Sequence, residues 1–474
     1  MKPDMNLQMI DAIMRQPRKF AREEDGTITI FAMFMVLMMV MIGGIGADMM
    51  RHEMERTRIQ AVSDRAVLAA ADLDQTLDPE AVVRDYFDKS GMAGYVSNVD
   101  VDEGLNYRTV TVDAEMTMNT QFMDTMGVEE LNVPARSRAQ EKINKVEISL
   151  VLDISGSMKN NNKMENLQDA ASDFIDTVLT PGNRDLISVS MIPYSEHVNV
   201  GQKIMDQLNV NQVHNFSHCL EMPDTEYSHA SLNRGRTYDQ MQHFQWNYYS
   251  NESGSTRNTR YDTVCPRNWY EEIVPFSQDA NDLKNRIDRF KPRAGTSIFL
   301  GMKWAVSMLD NSFTTITGQL SDAGHVDAVF ADRPATYGDH ETLKTIILMT
   351  DGQNDQSYRI SDRYYNSDSE YAHWNRYNLQ YYLYNSVSSS RRSRYYWRRY
   401  TASLGDSLLD NICDAAKVHR MVIWSIGFEV TDHGASVMRN CASSPSHFFR
   451  VEGVEISEAF SAIARQINQL RLTQ

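Results

Sequence analysis

The stretch from Lys145 to Met158 constrains this chain more than any other. Apolar residues are nearly continuous from Lys145 to Leu152, the pattern of a parallel strand buried on both faces. The strand runs into Val151-Leu-Asp153-Ile-Ser155-Gly-Ser157-Met158. One carboxylate and two hydroxyls are thereby placed on a tight turn at the strand's carboxyl end, where open α/β sheets bind their ligands. Three hard oxygens converging there suit a hard divalent cation, Mg2+ first, with Mn2+ and Ca2+ as alternatives. Read alone, the same turn is better explained as a polar cap for the next helix. Other parts of the chain have to complete a coordination shell.

Two later turns supply what is missing. Ala294-Gly295-Thr296-Ser297 leads into a helical pattern and offers the Thr296 hydroxyl. Leu348-Met349-Thr350-Asp351-Gly352 ends an apolar run with a second carboxylate. Asp153, Ser155, Ser157, Thr296 and Asp351 together give two acids and three hydroxyls. That set leaves room for waters and an incoming anionic ligand around an octahedral ion.

The same region alternates strand and helix patterns. Met164, Leu167, Ala171, Phe174 and Val178 form a helical stripe. Leu186 to Ile192, Thr345 to Met349 and Met421 to Ile426 read as central strands. Helical patterns cover Asp279 to Phe290, Ser297 to Leu309, Ser403 to Val418 and Ser457 to Leu470. Such alternation predicts a doubly wound α/β domain over residues 145–474.

Upstream, residues 1–27 are polar, and Ile28 to Ala47 then carries no charge. At about 1.5 Å per residue such a helix spans roughly 30 Å, one hydrocarbon thickness. Residues 28–47 therefore read as a transmembrane helix. Gly43, Gly44, Gly46 and Ala47 would let a neighbouring helix approach closely. Ile59, Val62, Ala66, Ala69 and Leu73 continue as one apolar stripe. Val110, Val112, Ala114 and Met116 then alternate with polar residues, and a turn at Glu103 to Asn106 joins that strand to one near Val99 and Val101. A helix with a small sheet, a pilin-like α+β stalk, is thus expected over residues 48–144. The formal net charge of −16 argues against broad capture of nucleic acid.

These motifs resemble two known families. Asp153-x-Ser155-x-Ser157, then Thr296, then Thr350-Asp351-Gly352 are similar to the three loops of the metal-ion-dependent adhesion site in von Willebrand factor A domains. The N-terminal part resembles TadE/TadG-like proteins of tight-adherence (Flp-type) pilus systems. Asp25-Gly26 before the span and Ile59-Gln60-Ala61-Val62-Ser63-Asp64-Arg65-Ala66 after it carry that resemblance. Ile412-Cys413-Asp414-Ala415-Ala416-Lys417, Ser425-Ile426-Gly427-Phe428, Cys441-Ala442 and Leu470-Arg471-Leu472 add to it. Phe31 stands five residues after Gly26 where a pilin precursor carries Glu, which argues against prepilin-type cleavage. The joint resemblance implies a TadG-like pilus-assembly protein, non-catalytic, with a cytoplasmic N-terminus and the C-terminal domain in the periplasm. Its implied partners are pilus-assembly or other envelope proteins, met through an acidic group at the metal.

The four cysteines fit export. Cys219 and Cys265 bracket a polar insertion at about 202–273, and Cys413 and Cys441 bracket a late strand. Pairing within each bracket is the simplest of three connectivities, and four reduced thiols are the alternative. A second insertion, at about 353–401, holds 11 tyrosines, eight arginines and three acids between Tyr358 and Tyr400. Its basic end offers Arg391, Arg392, Arg394, Tyr395, Tyr396, Trp397, Arg398 and Arg399 as a partner surface, because Tyr, Trp and Arg are favoured at binding hot spots. A metal-assisted hydrolase is the alternative function. Against it, none of the three metal-site segments brings a His or Glu as general base.

Overall fold

The computed structural model describes residues 27–72, 75, 77–103, 107–142, 145–246, 258, 262–339 and 341–472. Leu73, Asp25-Gly26 and the turn at 104–106 lie outside the described residues. The chain divides into two compact units, Met1–Lys142 and Ile143–Gln474.

In the first unit one helix runs from Thr27 to Ala71, 45 residues in all. Side chains from Ile28 to Ile42 are exposed. Among the described residues this is the one helix long and apolar enough to cross a membrane. Farther on, Ile59, Ala66, Val67 and Ala70 are buried with Val110, Val112, Ala114 and Val133 of a three-stranded antiparallel sheet. Its strands, Val96–Glu103, Tyr107–Asn119 and Glu130–Lys142, lie in chain order. The third was not legible in the sequence. Val133, Ala135 and Ser137 alternate with exposed residues, but they are small or polar and Pro134 interrupts them. An edge strand tolerates that proline.

Gly44 and Asp48 lie one helical turn apart and are both buried. A Cβ on Gly44 would fall 2.5 Å from the Phe122 ring. Gly44, one of the small residues expected to admit a neighbouring helix, is therefore committed to the chain's own turn. The Asp48 carboxylate accepts the backbone N–H groups of Gln121, Phe122 and Met123 at 3.1, 2.7 and 2.8 Å. Asp48→Ala would leave these donors without their acceptor and loosen the turn. Amide exchange at Phe122 and Met123 should accelerate about tenfold or more in that variant. Unchanged exchange would mean that water already serves those groups.

The second unit is built on six strands. Their order across the sheet is Phe448–Val451, Val422–Phe428, Thr342–Thr350, Lys145–Asp153, Ile187–Tyr194 and Val274–Ser277. The first five are parallel and the last is antiparallel. Side chains alternate between two apolar layers. Val146, Ile148, Leu150 and Leu152 meet Leu167, Phe174 and Ile463 in one layer, whereas Val151 and Ile192 meet Trp304, Leu408 and Met438 in the other. Helices Lys163–Val178, Ala280–Ile287 and Glu455–Leu472 thus cover one face. Helices Ile298–Met308, Ala402–Val418 and Asp432–Cys441 cover the opposite one. The fold is the doubly wound α/β arrangement that the alternation predicted.

Two features of this sheet prepare a site. Lys145–Asp153 and Thr342–Thr350 are parallel neighbours, so their carboxyl ends emerge side by side. At Gly301 a Cβ would sit 2.9 Å from both Tyr194 and Val151 side-chain atoms. The missing side chain lets helix Ile298–Met308 press its amino end against those strand ends. Disulfides join Cys219 to Cys265 and Cys413 to Cys441.

Candidate metal centre

Asp153, the last residue of its strand, is fully buried. Its carboxylate is held from three sides. The Ser155 N–H donates to Oδ1 at 2.7 Å, the Thr350 hydroxyl to Oδ2 at 2.6 Å, and the Tyr194 hydroxyl to Oδ2 at 3.4 Å. The chain then turns so that the Ser155 and Ser157 hydroxyls lie 3.1 Å apart. Ser157 Oγ donates to Asp351 Oδ1 at 2.6 Å, which ties the first turn to the neighbouring strand end.

The middle loop is pinned by its backbone. Gly156 N–H donates to Ala294 O at 3.1 Å, and Asp355 N–H to Thr296 O at 2.8 Å. A Cβ at Gly352 would fall 3.8 Å from Ser157 Oγ and 3.9 Å from Thr296 Oγ1. Both hydroxyls therefore flank the same short backbone stretch. All five residues expected from the sequence are brought to one end of the sheet.

The electrostatics of this cluster favour a cation. Burial, and then the Asp351 charge, push the Asp153 carboxyl well above the usual carboxylate range. Burial also raises Asp351, against hydrogen bonding from Ser157 and the charge of Lys163. Two carboxylates pushed towards protonation form a site short of positive charge. The donor set of two acids and three hydroxyls is hard oxygen throughout, which fits Mg2+. Among the described residues no group of three or more His, Cys, Asp or Glu side chains forms a metal cage.

Some contributors were missed in the sequence. Lys163 Nζ lies 3.1 Å from Asp351 Oδ2 and 3.5 Å from Glu429 Oε2, and its side chain is nearly buried. It neutralises part of the Asp351 charge. Nothing local marks it, since a lysine at a helix start reads as solvated. Thr350 carries more of a signal, standing beside Asp351 at the end of an apolar strand. Asn354 accepts the Ile298 N–H at 2.8 Å and fastens the third loop to the helix that follows Thr296.

The tyrosine- and arginine-rich segment is sorted rather than presented whole. Tyr395 stacks on Tyr364 with ring centroids 3.9 Å apart, and Tyr396 packs edge-on to Trp246 at 5.2 Å. Arg392 Nε donates to the carbonyls of Leu383 and Val387. Arg399 is half-buried and pairs with Asp224 at 2.6 Å. Arg391, Arg394, Trp397 and Arg398 remain exposed.

Strand order and covering helices define a doubly wound α/β domain that carries a three-loop oxygen cluster at one end of its sheet. Residues 26–73 match the family described as putative Flp pilus-assembly TadE/G-like. No curated protein matches the chain. Among solved structures it is similar to the vWF domain of the type V pili tip protein Mfa5 from Porphyromonas gingivalis. That match has 14% identity and a TM-score of 0.36, over 70% of this chain and 98% of the other. The pilus adhesin SpaC from Lactobacillus rhamnosus GG, in its open conformation, matches at 12% identity and a TM-score of 0.35. It aligns over 79% of this chain, which spans only 34% of SpaC. Proximal thread matrix protein 1 from the mussel byssus, with a zinc-occupied MIDAS motif, matches at 13% identity. The TM-score there is 0.29, over 69% of this chain and 46% of that one.

Proposed function

We propose that this protein is a membrane-anchored, metal-dependent binding component of a tight-adherence (Flp-type) pilus or surface-adhesion system, without catalytic activity. The observation that carries this reading is the convergence of Asp153, Ser155, Ser157, Thr296 and Asp351 at the carboxyl end of two neighbouring parallel strands. Those five residues would hold Mg2+, which supplies a Lewis-acidic position for an acidic group of the partner. Thr350 and Tyr194 orient the Asp153 carboxylate, and Lys163 offsets the charge of Asp351. The TadE/G-like match supports the pilus context. Helix Thr27–Ala71 supports a single-pass anchor, with residues 28–47 in the bilayer and 1–27 in the cytoplasm. Two disulfides support a C-terminal domain in an oxidising compartment, the periplasm.

Asp351→Ala tests the reading in cells. Envelope levels of the protein should be unchanged, because Lys163 keeps Glu429 as a partner. Pilus-dependent surface attachment should fall to that of a strain lacking the protein. Normal attachment by this variant would remove the metal site from the function. In the same strain background, a reporter enzyme active only outside the cytoplasm, fused after Gln474, should be active. An inactive but stable fusion would reverse the proposed orientation.

A further inference from the structure

The two insertions of the second unit meet in a cleft of about 540 Å3, within the size range of small-ligand sites. One wall is the ribbon of strands Ser357–Ile360 and Tyr396–Tyr400, where Arg359 stands opposite Trp397. The other wall comes from the first insertion, including Arg236, Asp239 and Glu221. Side chains alternate across such a ribbon. Tyr358 and Tyr396 lie against Trp246, with centroids at 4.8 and 5.2 Å, so one face is consumed by packing. Trp397 and Arg399 line the cleft instead, and Trp397 is 48% exposed. Trp397 is an apolar platform that no side chain among the described residues covers fully.

The positive charges of the cleft are already paired. Arg399 pairs with Asp224 at 2.6 Å, Arg236 with Glu226 at 3.2 Å, and Arg359 with Glu221. No guanidinium among these is left to capture a phosphate, sulfate or uronate. Asp239 and Asp362 add carboxylates to the lining, which accept hydrogen bonds from hydroxyls and repel anions. The walls are also fixed in place. Gln242 exchanges two hydrogen bonds with the Ile360 backbone, at 2.9 and 2.7 Å, and Cys219–Cys265 staples the first insertion. A cleft rigid before binding loses little entropy when filled.

We propose that this cleft binds a neutral oligosaccharide. The C–H face of a pyranose lies against the negative face of the Trp397 ring, and ring hydroxyls are met by the carboxylates and paired guanidiniums around it. The site stands apart from the metal reading, since none of its lining residues belongs to the five oxygen donors.

The test is an array of immobilised neutral, sialylated and sulfated oligosaccharides probed with the detergent-solubilised full chain, wild type and variants. Neutral glycans should be retained, equally in EDTA and in Mg2+. Trp397→Ala should weaken the best neutral ligand by about tenfold. Trp397→Tyr should restore most of the loss, and Arg391→Ala/Arg394→Ala, outside the cleft, should bind as wild type. Binding confined to the sialylated or sulfated glycans would overturn the proposal. So would binding lost in EDTA, full binding by Trp397→Ala, or no retention of any neutral glycan.

Discussion

Replacing Glu271 by alanine should destabilise the second unit by about 3–5 kcal/mol, the usual cost of stranding one partner of a buried ion pair. Glu271 is 1% exposed and Arg293 is 5% exposed. Arg293 Nη1 donates to both carboxylate oxygens, at 2.9 and 2.7 Å. Glu271 Oε2 also accepts the N–H groups of Arg267 and Asn268, at 3.2 and 3.0 Å. Removing the carboxylate deprives a buried guanidinium of its counter-charge and two backbone donors of their acceptor. The effect should reach the metal centre as well, because Arg293 N–H donates to Ile154 O at 2.9 Å and the next residue binds Gly156. Urea unfolding of the variant measures the loss. Glu271→Leu/Arg293→Met should recover much of it, since an apolar pair removes the stranded charge. A loss below about 1 kcal/mol in Glu271→Ala would mean that water replaces the pair at little cost.

The second large effect is metal-linked. Mg2+ should raise the thermal midpoint of the wild-type second unit in the full chain. At a free concentration about a hundredfold above the dissociation constant, the gain is about 2.7 kcal/mol. Asp153→Asn should show no such rise. Without metal, however, the variant should be at least as stable as wild type. The substituted amide would keep an oxygen for the Ser155 N–H, its NH2 would donate to a reoriented Thr350 hydroxyl, and the like charge facing Asp351 would be gone. Equal metal-induced shifts in the two proteins would place the cation elsewhere. A metal-free variant much less stable than wild type would mean that the Asp153 charge is satisfied by the fold itself.

What the sequence determined by itself was whatever depends on local periodicity or on a motif of fixed spacing. An uncharged run of 20 residues must seek an apolar environment, so Ile28 to Ala47 was readable as a span. Near-continuous apolar strands between amphipathic helices require cover on both faces, and the doubly wound domain followed. Asp153, Ser155, Ser157, Thr296 and Asp351 were legible because each stands at the edge of an element whose period is plain. The tertiary structure decided the rest, because the deciding partners are distant in the chain. Lys163 meets Asp351 across 188 residues and Asp48 meets Phe122 across 74, and no local pattern ranks such pairs. The short edge strands Val274–Ser277 and Phe448–Val451 are recruited by a sheet already formed, not by four residues of propensity. In the tyrosine- and arginine-rich segment, composition promised one basic surface. Ribbon register turned Tyr396 inward and Trp397 outward, because a strand sends successive side chains to opposite faces and only the packed neighbour fixes which face is buried.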